Sequence, residues 1–218
     1  EYAMRVEGEY GKTEMRYIVD CEPGATLLYG FQHEISKEEF ARRIADNTLL
    51  EVTNAVTVHK GDCFFIEAGT LHAIGKGILI AEIQQNSNTT YRIYDYGRLG
   101  NDGKPRPLHV EKAKDVTRLC PPTRPTRPEG SPVDCGGYTT CLLSSCEYFT
   151  VHALSLKSEA ALQVDEKSFH SLMCLDGSAE HTSANGNVSL KKGDSVFLPA
   201  NFGSYKLTGS GEYILTTV

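Results

Sequence analysis

Apolar and polar residues alternate with a period of two along several short segments of the chain, a pattern that predicts β-strands. The segments cover residues 15–21, 26–31, 77–84, 148–156 and 211–218. Glycine, asparagine and aspartate residues lie between them, and short strands separated by such turns are typical of barrels or sandwiches. The pattern therefore predicts an all-β fold.

Two segments have helical spacing instead. In 36–47, Ser36 and Glu39 form a capping-box pattern, and Phe40 and Ile44 lie on one helical face. Residues 108–119 space their apolar positions at intervals of three and four. We therefore expect two short helices inserted among the strands.

The sequence also contains a repeat. "VHKGDCFFIEAGTLHAI" (58–74) aligns without gaps with "LKKGDSVFLPANFGSYK" (190–206). Each copy predicts a Gly-Asp turn, a short strand with an inward phenylalanine, Phe65 or Phe197, and a second turn. A hairpin of this kind cannot bury its own apolar face, so two copies indicate two similar β units.

A proline-rich segment lies between the copies. Residues 120–137 contain five prolines and have no periodicity, which indicates a linker or an extended connection. The predicted domains are a first barrel over 1–119 and a second barrel over 138–218.

Composition narrows the function classes. The net charge is −6 over 218 residues, which leaves no broad basic surface for nucleic acid or an anionic membrane. No apolar run approaches the roughly 18 residues of a membrane span. Seven cysteines, an odd number without a Cys-x-x-Cys pair, favour free thiols in a reducing cytoplasm over a disulfide framework.

His72 ends the first copy of the repeat. Residues 61–72 match G-x5-P-x-G-x2-H, the second signature of the cupin barrels, except that Glu67 replaces the proline. This resemblance places His72 inside a barrel, where a neutral imidazole can bind a divalent metal. The second copy has Asn201 and Ser204 at the corresponding glycine and histidine positions. The second barrel is therefore expected to be structural and metal-free, with Phe202 packed into its end.

Two longer segments make the resemblance narrower. "GKTEMRYIVD" (11–20) and "EIQQNSNTTYRIYDYGR" (82–98) resemble the class I mannose-6-phosphate isomerases, in particular the short bacterial form. These enzymes interconvert mannose 6-phosphate and fructose 6-phosphate with one zinc ion. The resemblance runs over the whole chain and implies a double-cupin fold, a sugar-phosphate substrate and zinc as the cofactor. It implies nothing about the oligomeric state.

The resemblance also assigns roles to single residues. It implies that Glu14 and His72 are zinc ligands and that Arg92 is catalytic. It further implies that three residues line the substrate cavity: Lys12, Glu82 and Arg98. Without the resemblance, Glu14 reads as a rim carboxylate and the basic residues as solvated surface charges.

The chain departs from the family in two respects. The family draws two further zinc ligands from a Gln-x-His-Pro segment, and no histidine precedes Glu14 here. Residue 16 is arginine where the family usually has tryptophan, which places a cation beside the metal-binding strand. The chain is therefore expected to be a fragment or a degenerate relative, and the absence of a starting methionine favours a fragment. With only two ligands named, we expect it to hold zinc poorly and to isomerise little.

The chemistry leaves alternatives open. Isomerisation moves a proton between adjacent carbons through an enediol, and a Lewis acid stabilises the negative charge that develops. Arg92 could stabilise the enediolate or bind the phosphate, and Glu82 and Lys12 are both candidates to move the proton.

Two other functions compete with the isomerase. The first is a non-catalytic double cupin that binds a sugar phosphate or carbohydrate. The second is an iron cupin oxygenase, which would need a His-x-His pair ahead of Glu14, and this chain has no such pair.

Overall fold

The computed structural model describes residues 1–95, 99–104 and 106–218, and the chain divides into two compact units, Glu1–Arg124 and Pro125–Val218. Each unit is built mainly from β-strands. No helix in these described ranges combines the length and apolar character that a membrane crossing needs.

Unit 1 contains two three-stranded antiparallel sheets. Their strands are β1 (Glu14–Cys21), β2 (Thr26–Phe31), β3 (Thr53–Thr57), β4 (Cys63–Ile66), β5 (His72–Ile74) and β6 (Ile78–Gln84). One sheet has the order β4-β1-β6 and the other has the order β3-β2-β5. Apolar residues from both sheets, among them Ile18, Leu27 and Phe64, form one buried cluster. The site described below lies on these two sheets.

Three helices belong to the described part of unit 1: α1 (Tyr2–Glu7), α2 (Lys37–Ala45) and α3 (Val110–Val116). A 3₁₀ turn, Leu49–Glu51, follows α2. Ser36 caps α2 by accepting a hydrogen bond from the backbone N–H of Glu39, as the capping box predicted. Phe40 of α2 and Ala113 of α3 are buried in a second cluster with Phe31 of β2. Both helices thereby cover one end of the sheet that carries β5.

Unit 2 is a larger antiparallel sheet system. Its strands are β7 (Val133–Asp134), β8 (Tyr138–Ser145), β9 (Thr150–Leu156), β10 (Glu159–Val164), β11 (His170–Ser183), β12 (Gly186–Lys191), β13 (Ser195–Leu198) and β14 (Gly203–Thr217). The main order is β12-β11-β14-β9-β8-β7, with β10 paired to β14 and β13 paired to β11. A buried cluster that includes Leu172, Leu207 and Tyr213 forms the core of unit 2.

The repeat forms two equivalent strand–turn–strand segments, but the hairpins expected from the sequence are wrong, because β4 pairs with β1, β5 pairs with β2 and β13 pairs with β11. The two phenylalanines of the repeat also differ. Phe65 is buried, as expected, whereas Phe197 is 60% exposed, so its predicted inward orientation is wrong. In β13 the alternate residues Val196 and Leu198 face the core, which leaves Phe197 on the outer face against Phe169. All four residues of β4 are buried, and the Arg124 guanidinium stacks over the Phe65 ring.

Candidate metal and substrate site

Strand β1 places two charged side chains on one inner face. Glu14 and Arg16 are two residues apart, and side chains at that spacing point to the same side of a strand. Arg16 lies directly opposite Glu82 of β6 in the antiparallel register. Both β1 residues are buried, with Glu14 1% exposed and Arg16 6% exposed. The pairing of β1 with β6 therefore brings Glu14, Arg16 and Glu82 together.

His72 is positioned by the turn between β4 and β5. Gly69 adopts φ 88°, a conformation that glycine reaches without strain. The Gly69 carbonyl accepts the N–H of Arg118, and a Cβ at Gly69 would clash with the Val116 carbonyl oxygen at the end of α3. Glu67, which occupies the signature's proline position, forms an ion pair with Arg118 at 2.7 Å. The turn is therefore fixed against the residues at and after the end of α3.

The imidazole of His72 is oriented toward Glu14. Its Nδ1 lies 2.8 Å from the carbonyl oxygen of Thr70, so Nδ1 carries the proton and donates it. Nε2 then keeps its lone pair and lies 3.7 Å from Oε1 of Glu14. Burial lowers the pKa of His72, and the positive charge of Arg16 lowers that pKa further. A neutral imidazole with its second nitrogen held by a carbonyl is the usual form of a histidine ligand.

Four charged groups surround this histidine. Nη2 of Arg16 lies 2.9 Å from Oε2 of Glu14 and 2.8 Å from Oε2 of Glu82. Nζ of Lys12 lies 3.4 Å from Oε1 of Glu14 and 3.6 Å from Oε1 of Glu82. Two carboxylates thus face two cations, and the formal charge of the four groups is zero.

The donor set fits a divalent metal in part. Oε2 of Glu14 is buried without a hydrogen bond from the described residues, because its contact with Arg16 satisfies the distance of an ion pair but not the angles of a hydrogen bond. A carboxylate oxygen and an imidazole nitrogen of this kind are ordinary ligands of a divalent cation. Within the described ranges, no three His, Cys, Asp or Glu side chains cluster closely enough to hold one. Glu14 and His72 therefore fit as two ligands of a larger set.

A cavity of about 650 Å³ opens beside these residues within unit 1. Lys12, Glu14, Arg16, His72 and Arg92 all belong to its wall. The structure thus brings together four of the site residues predicted from the sequence, and it adds Arg16. This volume is in the usual range for a small-molecule site.

Two predicted site residues are not part of the described cavity wall. Glu82 is not among the described residues that line the cavity, and its carboxylate contacts Lys12 and Arg16, which do line it. Arg98 lies outside the described residues.

Arg92 is fixed through its backbone. Its N–H donates to Nδ1 of His109 at 3.0 Å, and the His109 N–H donates to the Arg92 carbonyl at 2.7 Å. The Arg92 side chain is 27% exposed, and its Nε lies 3.9 Å from Oδ1 of Asp95. Asp95 is more closely paired with Arg106, whose Nε donates to Oδ2 at 2.6 Å. Among the described residues, the Arg92 guanidinium therefore has only this long ion pair, which leaves hydrogen-bond donors for a ligand.

Asp95 and Arg106 also line the cavity, and the sequence did not single them out. They lie in a segment without periodic apolar positions, so no pattern related one to the other. The acidic residue three positions after Arg92 was the one available signal, and it is weak on its own.

The equivalent turn of unit 2 has the same backbone shape but no histidine at the position of His72. Asn201 adopts φ 62°, the left-handed conformation that Gly69 has in unit 1. Ser204 stands at the position of His72 and is exposed. Phe202 packs against the unit 2 core, as expected.

Two β units joined in one chain, with a histidine and a glutamate meeting in the first, define a double cupin with a candidate metal site. The family described as "Mannose-6-phosphate isomerase, cupin domain" matches residues 138–218. Mannose-6-phosphate isomerase ManA of Bacillus subtilis (strain 168) is 39% identical over 217 residues, which cover 99% of this chain and 68% of that protein. The chain belongs to the mannose-6-phosphate isomerase family.

Further comparisons agree. A mannose-6-phosphate isomerase of Streptococcus mutans is 35% identical over 213 residues, which cover 98% of this chain and 66% of that protein. The crystal structure of the Bacillus subtilis mannose 6-phosphate isomerase superposes with a TM-score of 0.91 at 34% identity, covering all of this chain and 68% of that one. A putative mannosephosphate isomerase from Archaeoglobus fulgidus, 16% identical with a TM-score of 0.74, shares the fold over 99% of this chain and 64% of its own. The predicted double-cupin fold and family are confirmed, and the chain spans about two thirds of these relatives' length.

Proposed function

We propose that this chain is an aldose–ketose isomerase that interconverts mannose 6-phosphate and fructose 6-phosphate. The observation that supports this most is the convergence of Glu14, His72, Lys12 and Arg92 on one cavity of unit 1. The names of the relatives, at 35–39% identity over nearly the whole chain, support the same substrate pair.

Zinc is the proposed cofactor, and Glu14 and His72 are the residues of this chain that would hold it. A bound zinc ion supplies a Lewis acid that stabilises negative charge on the sugar oxygens during isomerisation. The neutral imidazole of His72, with Nε2 toward Glu14, supports this assignment.

Arg92 is proposed to contact the substrate directly. Its backbone is held by His109 and its guanidinium is only loosely paired, so it can stabilise an enediolate or bind the phosphate with paired hydrogen bonds. Between the two candidates for proton transfer, the geometry favours Lys12, because Lys12 lines the cavity and Glu82 does not. Glu82 is then a counter-ion that Lys12 and Arg16 share with Glu14. Arg98 remains proposed as a third substrate-binding residue.

Unit 2 is proposed to be a structural, metal-free barrel, because Ser204 replaces the histidine and serine is a poor zinc ligand at neutral pH. The domain boundaries proposed from the sequence, 1–119 and 138–218 with a linker between them, are retained. A cytoplasmic location is supported by the free state of all seven cysteines.

The test is a long incubation with mannose 6-phosphate and excess zinc, with fructose 6-phosphate measured by a coupled assay. Because the chain offers two ligands, we expect slow conversion that depends on zinc and is lost in His72→Ala. His59→Ala, at a histidine exposed on the same unit, is the matched control and should convert at the rate of the unaltered chain. If the unaltered chain converts no faster than His72→Ala, the proposed isomerase activity is wrong.

A non-catalytic sugar-phosphate-binding protein is the second candidate. The observation in its favour is the ion pair between Arg16 and Glu14, which engages one of the two metal ligands. Saturable binding of mannose 6-phosphate that persists in His72→Ala, without conversion in any variant, would favour this function over the first.

A further inference from the structure

Arg16 is a buried cation that pairs with two carboxylates of the protein. Its Nη2 contacts both Glu14 and Glu82 within 2.9 Å, and its Nε is buried without a hydrogen bond from the described residues. A guanidinium keeps its charge under all ordinary conditions, so burial cannot neutralise it. Arg16 is therefore a fixed positive charge beside Glu14.

A fixed charge at this place affects any divalent cation bound by Glu14 and His72. The ion would share Glu14 with Arg16, and it would lie close to the guanidinium. Two positive charges a few ångströms apart repel strongly in a partly buried site, where water screens them less than at the surface. Glu82 cannot relieve the repulsion fully, because its single negative charge is already shared between Arg16 and Lys12.

We propose that Arg16 is a resident cation that competes with the metal for Glu14 and thereby sets the metal affinity of this site to a low value. The proposal rests on the metal part of the proposed function and not on turnover. It assigns Arg16 a role in metal affinity, in addition to its structural role as a cross-strand ion pair.

A purely structural role predicts a different result. Arg43 provides the comparison, because it also pairs with two carboxylates, Glu39 at 2.7 Å and Glu51 at 3.1 Å, at a place outside the cavity wall. If Arg16 were only an ion-pair partner of the same kind, its removal would change stability and leave metal affinity unchanged.

The experiment is a titration of the 218-residue chain with Mn²⁺, in which free Mn²⁺ is counted by electron paramagnetic resonance. Mn²⁺ prefers oxygen ligands such as carboxylates to thiolates, so the seven thiols interfere less than they would with zinc. The variants are Arg16→Met, the charge-balanced Arg16→Met/Glu82→Gln, and Arg43→Met as the matched control. Adding His72→Ala to Arg16→Met tests whether the gained binding belongs to this site.

We expect both Arg16 variants to bind Mn²⁺ at least tenfold more tightly than the unaltered chain, and Arg43→Met to bind as the unaltered chain does. Removal of Arg16 leaves one cation, Lys12, to pair with the two carboxylates of Glu14 and Glu82, which costs stability, so the double variant provides the same test with the charge restored. A second readout is the melting temperature, which added Mn²⁺ should raise more in the Arg16 variants than in the unaltered chain.

The outcomes separate cleanly. Equal affinity in the unaltered chain and both Arg16 variants overturns the proposal, and so does the absence of saturable binding in all three. A gain that survives His72→Ala also overturns it, because the new binding would lie elsewhere. Failure of the isomerase assay bears on the proposed function alone, since no substrate enters this titration.

Discussion

At the scale of single residues, Arg92 combines a fixed backbone with a loosely held side chain. The hydrogen bonds to His109 set the position of its Cα, while its guanidinium makes a long contact with Asp95 among the residues that the structure describes. Asp95 keeps its stronger pair with Arg106 when Arg92 is changed. A substitution at Arg92 should therefore act on the ligand more than on the fold.

We expect Arg92→Ala to lower the isomerisation rate by about 100-fold or more, the usual cost of losing one charged group that stabilises a developing anion. The melting temperature should change by no more than about 1 °C, as for a surface ion pair. Arg42→Ala is the control, because Arg42 of α2 forms long ion pairs with Glu39 and Asp46, is not part of the cavity wall and should leave the rate unchanged. Near-normal turnover of Arg92→Ala would leave this arginine without a catalytic role.

Sequence reasoning located single residues when a periodic strand or a long motif contained them. Glu14 and His72 belong to such segments, and the structure brings them to one cavity. The inward direction of Arg16 follows from its spacing of two from Glu14, but its second partner, Glu82, depends on the pairing of β1 with β6. Asp95 and Arg106 lie in an irregular segment, where contacts arise from tertiary structure alone.

At the scale of elements, the turn between β4 and β5 links the cavity to α3. Gly69 packs so closely against the Val116 carbonyl that no side chain fits, and its φ of 88° disfavours any residue with a Cβ. The position of the turn before β5 is thereby fixed relative to the end of α3. Movement of this turn displaces His72.

We expect Gly69→Ala to destabilise the His72–Ile74 strand by about 2–4 kcal/mol, the sum of backbone strain and a steric clash. Gly61→Ala is the matched control, because Gly61 has a similar φ of 93° but open space around its Cβ position. It should cost only about 1–2 kcal/mol of strain. Amide hydrogen exchange resolved to this strand measures both, and equal effects would show that the contact with α3 contributes nothing.

The elements themselves were predictable to different degrees. Strands with alternating residues, such as β2 and β6, were predicted nearly to their ends. Helix α1 was missed, because it is short, has no side-chain cap and buries no residue. Helix α3 is shorter than the predicted 108–119, because Thr117 is already extended. Strand β14 is far longer than its predicted 211–218, since Gly209 and Gly211 lie within it and glycines usually indicate a turn.

At the scale of the whole molecule, unit 2 contains a buried histidine that makes the free energy of unfolding depend on pH. His181 is 2% exposed, stacks on Tyr205 and has no hydrogen-bond partner for either ring nitrogen among the described residues. Burial lowers the pKa of His181 below its ordinary value of about 6.5. The unfolded chain therefore binds a proton at this residue before the folded chain does.

The sign of the pH effect follows. Above pH 6.5 His181 is neutral in both states, and below it the unfolded state gains protons first, so the free energy of unfolding falls as the pH is lowered. The slope from this one residue is at most about 1.4 kcal/mol per pH unit, down to the folded-state pKa. We expect urea denaturation between pH 7.5 and 5 to show this loss for the unaltered chain.

His181→Leu should lose less stability over the same range, because leucine takes up no proton. His59→Leu removes an exposed histidine and should keep the full slope. The same slope in His181→Leu and the unaltered chain would assign the acid sensitivity to other groups, such as the half-buried His152.

The two hydrogen bonds between Arg92 and His109, one to the His109 ring and one between backbone groups, have a consequence for how this chain can vary. They tie residue 92 to residue 109, so we expect residues inserted between the two to leave both bonds in place. Doubling the length of a closed loop costs only about 0.6 kcal/mol. Ile93, Tyr94, Asp95 and Arg106 lie between these two residues and line the cavity. We therefore expect changes of this segment to reshape the cavity wall while Arg92 keeps its position, so that the size of the bound molecule can be varied separately from the arginine that is proposed to contact it.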